Sequence, residues 1–126
     1  MTRQAIISSL AMIILLLALG GCSGQSRSDR AGGPLQTIAS PSGDRVLVIT
    51  VNSSRDDPTK YLTLIFEVRD VATQTSLHRQ QTSASSRMAW SMRWLDDAAV
   101  QLSSSDVGTI CWQEQPDGAW LEAPCP

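Results

Sequence analysis

The residues of this chain most able to do chemistry are its three cysteines, Cys22, Cys111 and Cys125. A thiol can attack a carbonyl, bind a metal, pair into a disulfide or carry a lipid, and its neighbours decide which. Nucleophilic or metal-binding use wants a histidine partner. The single histidine, His78, lies in the polar stretch Ser76 to Gln81, far in sequence from every cysteine. No CxxC spacing, no GxSxG around any serine and no glycine-rich phosphate loop occurs. Asp96, Asp97 and Asp106 could in principle make a carboxylate pair or a calcium site. However, Asp-Asp at the end of a strand is ordinary turn chemistry, and the twelve-residue calcium loop pattern is missing. Asn52-Ser53-Ser54 has the form of a glycosylation acceptor but, in the setting argued below, carries no information. The sequence therefore points to no catalytic residue, no metal site and no cofactor, and the expectation is a protein that is not an enzyme.

Cys22 stands at the end of an apolar run. Arg3 supplies a short positive start, Ala5 to Leu19 are apolar apart from Ser8 and Ser9, and Gly20 and Gly21 precede the cysteine. A bilayer of about 30 Å needs about 20 apolar residues to cross, and this run is shorter. Its build is that of a cleavable secretory signal over residues 1–21.

Leu19, Gly20, Gly21 and Cys22 resemble the lipobox of bacterial lipoproteins, with leucine, two small residues and cysteine in the family's order. The resemblance implies that the Cys22 thiol takes a diacylglyceryl group, that the signal is cut before it, and that the new amine is acylated. Two or more chains anchor stably where one holds only marginally. Ser23 rather than aspartate after the cysteine implies, in a two-membrane bacterium, the outer membrane facing the periplasm. The alternative for the same stretch is an ordinary signal cut near Gly20 that leaves Cys22 a plain thiol.

Beyond the signal, Arg3 is gone from the ten Lys and Arg, leaving nine against twelve Asp and Glu, a net charge of −3. Such a balance gives no footing for nucleic acid. No Lys or Arg follows Arg93, whereas Asp96, Asp97, Asp106, Glu114, Asp117 and Glu122 do. This acidic C-terminal third could suit a basic partner through complementary fields, or be no more than an acidic solvated surface. Residues 22–37 are mostly small and polar and read as a flexible tether. Residues 38–126 are enough for one small domain.

That domain reads as all-β. Ser40-Pro-Ser-Gly-Asp44 is a turn by composition, and Val46 to Val51 is β-branched and apolar on both parities, as for a strand central in its sheet. In Tyr61 to Asp70, Leu62, Leu64, Phe66 and Val68 share one side, the period of a half-buried strand. Ser76 to Gln81 is a candidate edge strand and Thr82 to Arg87 a loop. Met88, Trp90, Met92 and Trp94 share one parity, which in a strand stacks them on one face. They are either a ligand platform or, as expected for so small a domain, the bulky part of the core. Ala98 to Leu102 gives a further strand, and Thr109 to Ala123 a hairpin.

Pro116-Asp117-Gly118 suits a three-residue hairpin loop with glycine left-handed. Gln115 then pairs with Ala119, and Cys111 with Ala123. Cys125 sits one diagonal step from Cys111, about 7 to 8 Å in a flat ladder, beyond the usual disulfide range of about 4.4 to 6.8 Å. A Cys111–Cys125 bond is expected if the end curls at Pro124, which cannot donate to a ladder. The same register puts Ile110, Trp112, Trp120 and Glu122 on one face.

Ser40 to Leu47, Phe66 to Thr73 and Trp94 to Leu102 resemble fragments of β-propeller repeats of the TolB and WD type. The chain has room for one or two blades where a closed propeller has about four or more. The resemblance implies a blade-like antiparallel meander, open or closed into a small sandwich, and no function. Ser83-Ala-Ser-Ser86 before a Trp-rich strand is similar to the serine loop of membrane-bound lysozyme inhibitors, but Leu95-Asp-Asp97 follows Trp94 where that family carries lysine. The expectation is a lipid-anchored envelope protein that binds or scaffolds, with the membrane and an envelope protein as partners. The alternative is an inhibitor of a cationic enzyme such as lysozyme.

Overall fold

The computed structural model describes residues 33–126. Cys22, the signal segment and most of the tether lie outside the described residues. The rest is eight strands in two four-stranded antiparallel sheets, each in simple sequential order. The first sheet holds β1 (Gln36–Ala39), β2 (Arg45–Val51), β3 (Thr63–Asp70) and β4 (Ser76–Ser85), and the second β5 (Trp90–Asp96), β6 (Ala99–Ser104), β7 (Gly108–Glu114) and β8 (Trp120–Ala123). The domain is thus all-β, and its first strand begins at Gln36, slightly before the expected boundary at residue 38.

Alternation along the strands decides which face is buried. Leu47, Ile49, Leu64, Phe66 and Val68 from the first sheet meet Met92, Val100, Leu102, Trp112 and Trp120 from the second in one apolar cluster, with Leu35, Ile38, Trp90, Trp94 and Ile110 packed at its margin. Phe66 is fully buried, and its ring meets Trp112 edge-on at 4.9 Å. Burying such a ring stabilises by about 2 to 3 kcal/mol, and the aromatic pair adds about 1 kcal/mol.

The sheets stack strand over strand in the same order. Trp94 on β5 donates its indole N–H to the Ile38 carbonyl on β1 at 2.9 Å, Phe66 on β3 meets Trp112 on β7, and His78 on β4 stacks on Trp120 of β8 at 6.0 Å. Each sheet is a simple antiparallel meander, and the pair closes as a small sandwich.

Several local expectations change. Leu62 is not in β3: its φ of 62° places it in the preceding loop, where its N–H bonds Asn52 O and its carbonyl accepts from Ser86 N. Thr82 to Ser85 are strand, not loop, because their small side chains fit where β4 crosses the core edge. Ala84 is fully buried, and Thr82 Oγ1 donates to Leu64 O at 2.7 Å. Met88 leaves the aromatic row for solvent, 46% exposed in the turn before β5, while Met92 is buried.

Candidate functional site

The meander sorts its connections into two ends. At one end lie the β1–β2, β3–β4, β5–β6 and β7–β8 turns. Val71 N bonds Asp44 O at 2.9 Å, and Ser42 N bonds the Asp97 carboxylate at 3.0 Å. Arg45 bridges to Glu114 at 2.9 Å and donates to the Asp97 carbonyl at 3.0 Å. At the other end lie the β2–β3, β4–β5 and β6–β7 connections, tied by Ser86 N to Leu62 O and Ser105 N to Ala89 O, both 2.9 Å, and by Ser85 N to the Asp106 carboxylate at 2.9 Å.

This sorting separates the carboxylates that might have made a catalytic pair. Asp96 and Asp97 belong to the first end and Asp106 to the second. Each is occupied within a turn. Asp96 accepts from Ala98 N at 2.7 Å. Asp97 is held below its ordinary carboxylate pKa chiefly by the Ser42 N–H. Asp106 is held below it first by the Ser104 hydroxyl and then by the Ser85 N–H. The Asp97 and Asp106 carboxyls stabilised in this way are ionised acceptors, the opposite of the raised pKa a general acid needs. Among the described residues no group of three or more His, Cys, Asp or Glu is arranged to hold a metal ion.

His78 faces aromatic rings, stacked on Trp120 and 5.9 Å from Phe66, with Nε2 3.0 Å from Gln80 Oε1. No cysteine or serine approaches it in these contacts. Trp120, 5% exposed, keeps an indole N–H without a partner. The Asn52 side chain is spent on its own loop, accepting from Ser54 N at 3.0 Å and donating to Lys60 O at 3.1 Å.

The cysteine arithmetic holds. Cys111 pairs with Ala123, and Gln113 with Leu121. Gly118 takes a φ of 87°, a conformation that costs a side-chain-bearing residue about 1 to 2 kcal/mol. Cys111 and Cys125 form a disulfide with Cα atoms 5.3 Å apart, so the chain turns inward after Ala123, where β8 ends before Pro124. Cys111 points away from the shared core, since its neighbours Ile110 and Trp112 face it, yet it is 3% exposed. The C-terminal residues cross its outer face and leave a cleft of about 230 Å³ lined by Leu95, Ala99, Cys111, Gln113, Pro124 and Pro126. That is below the roughly 300 to 1,000 Å³ of small-molecule sites. Two larger hollows of about 510 and 390 Å³ are shallow and open, one beside the disulfide and one over Ser91, Ser103 and Thr109.

The chain matches no protein-family model, and no significant match is found among curated proteins or solved structures. The functional reading rests on its own residues.

The contacts that sequence reasoning missed are those tying the ends together, Arg45 with Glu114, Ser42 with Asp97 and Ser85 with Asp106. Their signal was only that each acid or its partner borders a turn, which says nothing of which turns meet.

Proposed function

We propose that this protein is a lipid-anchored bacterial envelope lipoprotein whose small β-domain binds or scaffolds and does no chemistry on a substrate. The observation that carries the reading is the segment Leu19-Gly-Gly-Cys22 at the end of an apolar run, placed shortly before a domain that begins at Gln36. The Cys111–Cys125 disulfide supports it, since such bonds persist in secreted and periplasmic settings. So does the turn-bound state of Asp96, Asp97 and Asp106. In this reading acyl chains on Cys22 hold the N-terminus in a leaflet, and the tether sets the reach of the domain.

The test is the intact mass of membrane-extracted protein, with and without reductant, beside a Cys22→Ser form. The expected mass is that of residues 22–126 plus acyl groups and minus two hydrogens, which reductant restores. An unacylated product released from the membrane overturns the anchored reading.

A second reading is an inhibitor of a cationic enzyme such as lysozyme. It is favoured by Asp44, Asp70, Asp97 and Asp117 gathered at one end of the sandwich. Unchanged lysis by lysozyme at excess protein removes it.

A further inference from the structure

The two ends of the sandwich differ in charge, and the chain enters at one of them. Leu35 N bonds Ile49 O at 2.7 Å, beside the last part of β2. The N-terminal segment therefore joins the domain toward the end formed by residues 52–62, 86–89 and 105–107. The basic residues of the connections are all here: Arg55, Lys60 and Arg87. None has a carboxylate within ion-pair distance among the described residues, where the two ion pairs are Arg45–Glu114 and Arg69–Glu67. The same connections carry Asp56, Asp57 and Asp106, all exposed, with Asp57 bonded to Thr59 and Asp106 to Ser104 and Ser85, so this end is balanced in charge where the opposite end is acidic. Asp56 alone has no side-chain bond of this kind. Met88, 46% exposed, stands next to Arg87, and Arg55 lies 5.0 Å over the Tyr61 ring.

At the opposite end Asp44, Asp70, Asp96, Asp97 and Asp117 border or occupy the turns, and no Lys or Arg lies within them. The flanking Arg45 and Arg69 are already neutralised by their glutamates.

We propose that the end bearing Arg55, Lys60, Tyr61, Arg87 and Met88 is a membrane-facing surface that lies against an anionic phospholipid leaflet, with the aspartate-bearing end directed away. This rests on the anchored reading above and adds the surface and its partner. Basic side chains are attracted to an anionic leaflet only within about one Debye length, roughly 8 to 10 Å. β2 has seven residues, about 23 Å at roughly 3.3 Å per residue. With the proposed end down, the five aspartates of the opposite end stand beyond the leaflet's field, and only a charge-balanced surface lies within it. Inverted, those aspartates would lie within it with only Arg45 and Arg69 beside them, each already paired with a glutamate. Tyrosine and a single exposed apolar side chain suit the interfacial layer, and a tether leaving from the same end lets the domain settle without turning over.

The test uses the full-length protein bound to phosphatidylcholine vesicles with and without phosphatidylglycerol. A fluorophore is placed at Met88→Cys or at Asp117→Cys, and quenching by a headgroup spin-labelled lipid is read. The expected result with phosphatidylglycerol is several-fold stronger quenching at position 88 than at 117. The gap should narrow in high salt and in the Arg55→Glu, Lys60→Glu, Arg87→Glu form, whose near-ultraviolet circular dichroism checks that it is folded. Equal quenching in vesicle-bound protein, or stronger quenching at 117, overturns the proposed surface while leaving the anchor intact. Protein that fails to float with vesicles overturns the anchored reading itself, which flotation reports separately from quenching.

Discussion

Removing the Cys111–Cys125 bond is the sharpest perturbation of this domain. The cysteines are 14 residues apart, and closing a loop of about 15 residues lowers the entropy of the unfolded chain by an amount worth about 3 kcal/mol. Small domains have only about 5 to 15 kcal/mol in total, so a large share is at stake. In the native state little should change: β7 and β8 keep their ladder from Cys111–Ala123 to Glu114–Trp120, and Gly118 keeps its turn. The Cys111→Ala, Cys125→Ala double variant should therefore fold, at a cost of about 3 kcal/mol.

Urea unfolding followed by tryptophan fluorescence measures this directly, because Trp112 and Trp120 are buried and report the core. A constraint acting on the unfolded chain also predicts a steeper slope for the variant, since an unlinked chain exposes more surface. Wild-type protein in reductant should superimpose on the double variant. A loss below about 1 kcal/mol with unchanged slope would refute the reasoning and mean that the bond fastens only a frayed end.

Phe66→Ala should cost about 3 to 5 kcal/mol, since the ring is fully buried and leaves a cavity; the same urea titration checks it. Arg45→Met should cost about 1 kcal/mol, because its partly buried pair with Glu114 gains modestly and the Asp97 carbonyl loses a donor; a double-mutant cycle with Glu114→Gln measures the coupling. Gln74→Gly should raise stability by up to about 1 kcal/mol, since Gln74 has a φ of 59° and glycine removes that strain; a higher urea midpoint is the expected reading. Hydrogen bonds from Thr59, Thr73, Ser42 and Ser104 hold Asp57, Asp70, Asp97 and Asp106, in that order, below the ordinary aspartate pKa. Their contribution is complete above that value and lost as pH falls through the folded values. The urea midpoint should therefore fall as pH drops below about 4, and less steeply in an Asp97→Asn, Asp106→Asn form.

What the sequence made legible was short-range. The β7–β8 register followed from Pro116-Asp-Gly118 because a hairpin loop fixes its own pairing, and the disulfide followed from that register. The inward face of β3 followed from period two, whereas β2, apolar on both parities, showed its strand character but not which side faces the core. Thr82 to Ser85 were misread because composition registers serine and alanine as loop-forming, whereas the edge of this core has room only for small residues. Met88 was misread because its parity matched Trp90, Met92 and Trp94, although β5 begins at Trp90. Leu62 fell out of its alternating row because a left-handed residue at 62° breaks period two, and leucine gives no warning of it. The partners of Asp97 and Asp106 lie 55 and 21 positions away, distances at which local pattern has no power.

The charge separation also has a partial explanation in the fold. Aspartate is favoured in turns because its carboxylate accepts backbone N–H groups, as Asp70 does from Thr73 and Asp117 from Ala119. Two sequential four-stranded meanders stacked in the same direction place two of the three turns of each sheet at one end, so turn chemistry alone concentrates aspartate there. It does not account for Arg55, Lys60 and Arg87, which sit in connections at the other end, where turn geometry asks for no cation. The acidic pole can thus be a by-product of topology, whereas the three cations beside the incoming chain have no ion-pair partner among the described residues and are the residues on which the proposed membrane contact rests. Replacing the three cations therefore separates the two causes: it should leave the urea midpoint almost unchanged, as exposed charges contribute little to stability, while altering how the domain sits on an anionic leaflet.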